Sequence, residues 1–155
     1  MKALPSQATF RFVPATDRAL PIPDQTTFLL RRLTLGERAV IEDMESSETL
    51  GQKEDGRATL HRQRHSFVCQ LERVRAGLLG WENFRDENGA LLAFQKGPQR
   101  LVAGRMQECV SDELLDRIPS EIVYEIERAI FDAARLTDDD RKNSQSPQPS
   151  PSTAT

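Results

Sequence analysis

Apolar and polar residues alternate over residues 8–13, Ala-Thr-Phe-Arg-Phe-Val, ahead of Pro14, which predicts a short strand burying Phe10 and Phe12. A β-branched and apolar run from Thr26 to Leu33 predicts a second strand paired with the first. Such a pair needs helices on its apolar face to persist. The period then changes. Thr34-Leu35-Gly36-Glu37 has the spacing of a capping box, in which the Thr hydroxyl accepts from the backbone N–H of Glu37 and the Glu carboxylate accepts from that of Thr34. It predicts a short helix with Val40, Ile41 and Met44 inward, ended by a polar loop from Glu45 to Gly56. Between Arg57 and Leu79, at 100° per residue, Leu60, Phe67, Leu71, Val74 and Leu78 fall within an arc of about 60°. That spacing predicts one long central helix, closed by Gly80 as a left-handed cap. Gly77 weakens its last turn by ~1 kcal/mol relative to Ala, which suggests close approach of another backbone.

Residues Gly80 to Phe94 hold the only Trp in the chain, and Asn88-Gly89 is a tight-turn signal between residues of strand character. The stretch predicts a central β-hairpin whose aromatic rings, Trp81 and Phe84, anchor packing between two helical halves. Beyond Lys96-Gly97-Pro98, the run from Gln99 to Val110 is ambiguous and reads best as a helix or helical turn. Ser111-Asp112-Glu113 starts a short helical segment ending at Ile118-Pro119, and Ser120-Glu121 opens a last helix to about Leu136. In that helix Ile122, Ile126, Ala129, Ala133 and Leu136 share one stripe, while Tyr124 and Phe131 lie about 160° away. A helix with apolar groups on two sides either sits between layers or offers one side to a partner. Thr137 to Thr155 has no large apolar residue and becomes rich in Ser, Pro and Gln, so it predicts a disordered tail. The expected architecture is α+β and mostly helical, with one domain over residues 1–136 and a polar tail over 137–155.

Composition adds little to this picture until charge is mapped along the chain. With 37% hydrophobic and 29% charged residues, the 155-residue chain is globular in composition. Its net charge of -3 conceals two opposed segments. From Arg57 to Arg75 five Arg face one acid, a net of +4, and from Glu108 to Asp140 eleven acids face three Arg, a net of -8. The simpler reading is that the two segments lie close and partly cancel; the sharper one is that a charged face recruits a partner. No apolar run approaches a membrane span of ~20 residues, no secretory signal opens the chain, and two isolated Cys suit a reducing cytoplasm.

No catalytic apparatus is legible. His61 and His65 are four residues apart, with Glu72 on roughly the same side of the expected helix, but no zincin Glu follows His61, and a polar strip is the simpler account. Cys69 and Cys109 lack any activating neighbour in sequence, and Asp138-Asp139-Asp140 lacks the glycine and terminal Glu of a calcium loop. The five Arg of the long helix raise nucleic-acid binding, yet Arg62 and Arg73 point one way and Arg57, Arg64 and Arg75 another, and the pI is near 5.5. The expectation is a non-enzyme with no catalytic residue, cofactor or metal.

Phe28-Leu29-Leu30-Arg31-Arg32-Leu33-Thr34 leading into Gly36-Glu37, then Leu79-Gly80-Trp81-Glu82-Asn83-Phe84 with Asp86 and Asn88-Gly89, resembles the tail assembly chaperones of long-tailed bacteriophages and related prophages. So does Ile118-Pro119-Ser120-Glu121-Ile122 followed by Glu125-Ile126, with Arg141-Lys142-Asn143-Ser144 in the tail. The resemblance implies a protein of the bacterial host cytoplasm, absent from the mature virion, that coats the tape-measure protein and hands it to tail-tube protein. It also implies a longer frameshifted form of the same chain as a further partner. Alternatives are another small tail or head-tail accessory protein that stays in the particle, and a basic-helix nucleic-acid binder. Chaperoning requires exposed apolar contacts. By helix geometry Tyr124 and Phe131 are the first candidates for that surface, with Trp81 and Phe84 second.

Overall fold

The computed structural model describes residues 8–52, 58–64 and 66–143; within 46–52, 58–64 and 134–143 only the backbone is described. Two strands form where alternation and then a β-branched, apolar run place them, β1 (Thr9–Phe12) and β2 (Thr27–Arg31), paired antiparallel with Phe10 opposite Leu30 and Phe12 opposite Phe28. Phe28 and Leu30 are fully buried while Leu29 points to the other face, as the two-residue period of a half-buried strand requires. The capping box also forms: the Glu37 N–H donates to Thr34 Oγ1 at 3.3 Å and the Thr34 N–H to Glu37 Oε2 at 2.9 Å, opening α1 (Leu35–Glu45). Of the expected inward trio on α1 only Ile41 is buried, and the side chain sharing its depth is Glu37.

The expected helix over residues 57–79 is divided among three elements. Residues 58–64 are strand β4 (Ala58–Arg64), paired antiparallel with β3 (Ser46–Gln52) in a register that sets Leu50 opposite Leu60 and Glu48 opposite Arg62. Residues 46–52 of the expected loop are therefore strand, Glu45 ends α1, and 53–56 lie outside the described residues. Helix α2 covers only Ser66–Gly77, and the chain then becomes β5 (Leu78–Glu82). The cause at this end is long-range. Strand β2 has an open edge, β5 fills it with Trp81 opposite Phe28 and Leu78 opposite Leu30, and the sheet order is β1-β2-β5. Gly80 is consequently a strand residue opposite Leu29, not a left-handed cap.

Gly77 does meet a close neighbour, though a side chain and not a backbone. A Cβ built there would lie 2.5 Å from Ile130 Cδ1 and 2.9 Å from its Cγ1, and Ile130 is fully buried. Gly77→Ala should therefore cost about 1–3 kcal/mol despite its gain in helix propensity, because a stiff β-branched side chain has no empty space to enter. Ile130→Val in the same chain should recover part of that loss, read from urea midpoints of the two single variants and the double variant; strict additivity would place the strain elsewhere.

The hairpin at Asn88-Gly89 closes, with Gly89 at φ 80° and the Asp86 N–H donating to Ala90 O. It is held by a single bridge, Arg85 opposite Leu91, since β5 takes its main pairing from β2. Residues 99–110, expected to be helical, instead form an antiparallel ribbon of β6 (Arg100–Val102) and β7 (Arg105–Gln107). Ala103 (φ 48°) and Gly104 (φ 78°) make the two-residue loop between them, both in the left-handed region that right-twisted hairpins favour. Ser111 caps α3 (Asp112–Leu115) by accepting from the Leu114 N–H. Helix α4 runs Ser120–Asn143, seven residues past the expected end at Leu136, and the rest of the expected tail lies outside the described residues.

The architecture is α+β, with α4 against β2 of the three-stranded sheet, α2 packed on α4 and α1 packed on α2. From α4, Ile122, Val123, Ile126 and Ile130 enter the core. Among the described residues no helix is long and apolar enough to cross a membrane.

Candidate partner-binding surface

Trp81 and Phe84 belong to the packing centre and not to an open surface. Trp81 is 9% exposed, and its ring meets Phe94 edge-on at 4.8 Å, Phe84 at 5.2 Å and Phe28 at 6.2 Å between centroids. Its Nε1–H donates to Leu92 O at 2.7 Å, which ties the loop after β5 back onto the strand. Phe84 is half-buried against the same rings.

Tyr124 and Phe131 share a side of α4 but differ in surroundings. Tyr124 is 51% exposed, with exposed Glu121 and Arg128 on neighbouring turns. Phe131 is half-buried beneath Arg73, whose guanidinium carbon lies 5.6 Å from the ring centroid. Arg73 is held there by Glu127 at 2.8 Å and Glu45 at 3.5 Å. A charge network from α1 and α2 thus covers Phe131, and the expected Tyr124–Phe131 stripe is not one open surface.

One open apolar pair among the described residues was not anticipated. Leu101 and Met106 face each other across the β6–β7 ribbon and are 66% and 64% exposed. The loop of the ribbon rests on α1, where the Gly104 Cα leaves only 3.1 Å between an added Cβ and Val40 Cγ2. Val40 and, one helical turn on, Met44 are themselves partly exposed. Alternation of Leu101 with Val102 on one side of Gly104, and of Arg105, Met106 and Gln107 on the other, was the available signal; Ala103 in a position that prefers Asn or Asp weakened it.

Carboxylates fasten this ribbon to the body. Buried Glu72 accepts from the Ala103 N–H at 3.2 Å and from Arg75 at 3.3 Å, and Asp112 accepts from Arg100 at 2.8 Å and Arg75 at 3.0 Å. The Arg100 hydrogen bond is the main cause holding the Asp112 carboxyl below the ordinary carboxylate range. Arg31 reaches Gln107 at 3.2 Å while paired with buried Glu37. The ribbon therefore presents Leu101 and Met106 from a fixed position.

The remaining candidate chemistry is dispersed. His61 lies on β4, opposite Thr49, and His65 is outside the described residues, so the helical pairing with Glu72 is not formed; Glu72 faces Ala103. Both thiols are buried, which pushes their pKa values up and disfavours thiolate, and the Cys69 thiol donates to Ile41 O at 3.5 Å. Among the described residues no three His, Cys, Asp or Glu are grouped to hold a metal. Of the Arg of the expected basic helix, Arg62 and Arg64 lie on β4, Arg73 and Arg75 on α2 are consumed by internal ion pairs, and Arg57 lies outside the described residues. Comparisons with protein-family models, with curated proteins and with solved structures found no match to this chain.

Proposed function

We propose that this chain is a non-enzymatic tail assembly chaperone of the long-tailed bacteriophage type, which binds the tape-measure protein in the host cytoplasm and helps recruit tail-tube protein. The observation that carries the reading is the Leu101–Met106 pair, two apolar side chains about two-thirds exposed on a ribbon pinned by the buried Glu72 carboxylate and by Asp112. Repeated, releasable contact with an apolar partner needs such a surface, and methionine adapts to varied partner shapes. The sequence resemblance supplies the identity of the partner, and Tyr124 is a second contact on the acidic helix. Engagement of Arg73 and Arg75 inside the protein argues against the nucleic-acid alternative.

Co-expression with the tape-measure protein of the same genome should raise that protein's soluble yield. Leu101→Ser with Met106→Ser should remove about half or more of the gain at unchanged melting temperature, with a smaller loss for Tyr124→Ser. An intact chain that leaves the tape-measure protein insoluble, yet retards DNA with a steep salt dependence, would sink the reading.

A further inference from the structure

A hydrogen-bonding edge is left open beside a cleft, between residues 91–95 and α3. The bridge of Arg85 to Leu91, flanked by Asp86 N–H to Ala90 O and Leu92 N–H to Phe84 O, turns the backbone groups of Ala90 and Leu92 toward the first arm of the hairpin. Burial alternates beyond it, with Leu92 and Phe94 half-buried and Leu91, Ala93 and Gln95 exposed. In an extended chain the backbone groups of Leu91, Ala93 and Gln95 therefore point the opposite way, to a second edge. Part of this edge is already used. Gly97 N–H donates to Cys109 O at 2.8 Å and Ser111 N–H to Gln95 O at 3.3 Å, a short ladder that stops where Ser111 turns into α3. Along the same edge, Leu91 and Ala93 have no backbone partner among the described residues. Where the ladder stops, a cleft of about 440 Å³ opens, with Leu91, Ala93 and Leu114 as its apolar lining and Glu113 and Arg117 on the wall. Leu92 and Arg117 also line a second cleft of about 490 Å³, with Phe84 and Pro119.

We propose that this slot binds an extended peptide by β-strand addition to the Leu91–Ala93 edge, the peptide carrying a basic and an acidic residue two positions apart. Strand addition supplies the missing partners for the Leu91 and Ala93 N–H and C=O groups and continues the ladder begun by residues 109–111. The charge pattern follows from the wall. Glu113 and Arg117 have no ion-pair partner among the described residues. Glu113 lies in α3 and Arg117 in the turn that follows it, closed by the Arg117 N–H donating to Leu114 O at 3.2 Å. At roughly 1.5–2 Å per residue they stand about 6–8 Å apart along the chain, comparable with the roughly 6.7 Å between same-face residues of a strand. A basic side chain facing Glu113 and an acidic one facing Arg117 match that spacing. This site is separate from Leu101 and Met106, so it stands whether or not those residues bind the tape-measure protein.

The test uses two probes, acetyl-Thr-Val-Lys-Val-Glu-Val-Thr-amide and the same peptide with Lys and Glu exchanged, titrated into the 15N-labelled full chain. One order should bind, slowing hydrogen exchange at the Leu91 and Ala93 amides at least about tenfold at saturation. Ala93→Pro, which deletes an edge donor, should weaken that probe at least about tenfold, and Arg117→Glu should transfer preference to a probe with Lys in place of the Glu. On the unaltered chain, N-methylating alternate residues of the probe should abolish binding for one set and spare the other, so the inference remains testable if Ala93→Pro unfolds. Failure of both orders to bind, or binding that leaves Leu91 and Ala93 exchange unchanged or is indifferent to the N-methyl pattern, overturns it.

Discussion

Replacing Trp81 by Ala lowers the unfolding free energy by about 3–5 kcal/mol. The indole is the ring that Phe28, Phe84 and Phe94 all touch, and its removal leaves a cavity between β2 and the loop after β5 that rigid aromatic neighbours cannot close. Leu92 O also loses the donor that holds residues 84–92 against the strand. Trp81→Phe keeps most of the apolar volume but not the hydrogen bond, so its cost should fall to about 1–2 kcal/mol. Urea unfolding followed by circular dichroism measures both, since the variants lack the only Trp. A loss under about 1 kcal/mol for Trp81→Ala would mean that the aromatic cluster does not organise the sheet.

Glu37→Ala should be as damaging, at about 3–5 kcal/mol, because it strands a buried cation. Arg31, itself 8% exposed, donates to the two Glu37 carboxylate oxygens at 2.9 and 2.7 Å, and the same carboxylate closes the cap of α1. Arg31→Met combined with Glu37→Leu should recover most of the loss, since no buried charge is then left without its partner. The pair also carries a pH signature. Burial works to raise the Glu37 pKa, but the hydrogen bonds from Arg31 and Thr34 and the Arg31 charge outweigh it and hold the carboxyl below its ordinary value. A carboxylate whose pKa is depressed by folding contributes stability in full above its unfolded pKa of about 4.3, and that contribution is lost as the pH falls through the folded value. Stability should therefore fall from pH 5 to pH 3 more steeply in the parent chain than in Glu37→Gln, which has no carboxyl to titrate there. Equal slopes would show that other carboxylates with lowered pKa, such as Asp17 or Asp112, dominate the acid limb.

For the candidate sites, the residues that sequence reasoning singled out divide according to what covers them. Tyr124 is open as its helical position suggested, while Phe131, a little under two turns on, is covered by Arg73 from α2. Trp81 and Phe84 are engaged with Phe28 and Phe94. Leu101 and Met106 escaped notice because their ribbon depends on a left-handed Ala103, a conformation that residue gives no sign of adopting. The reverse happened at Phe67: its place in an apolar stripe predicted burial, but α2 begins only at Ser66, and Phe67 lies exposed on the first turn.

Sequence by itself determined the features whose causes lie within a few residues. These are the β1–β2 pair with Phe10 and Phe12 on the inward face of β1, the Thr34–Glu37 box, the turn at Gly89, and the helix starts at Ser111 and Ser120. Each rests on alternation, a cap or a permitted φ, which neighbouring residues settle among themselves. Tertiary structure alone decided that residues 57–79 divide into strand, helix and strand, that β5 pairs with β2, and that Glu37 and Glu72 are buried. It also decided which apolar side chains stay open. Periodicity marks a face but not its cover, and an open strand edge or a buried guanidinium draws its partner from a distant part of the chain, where a backbone hydrogen bond or an ion pair outweighs local helix preference.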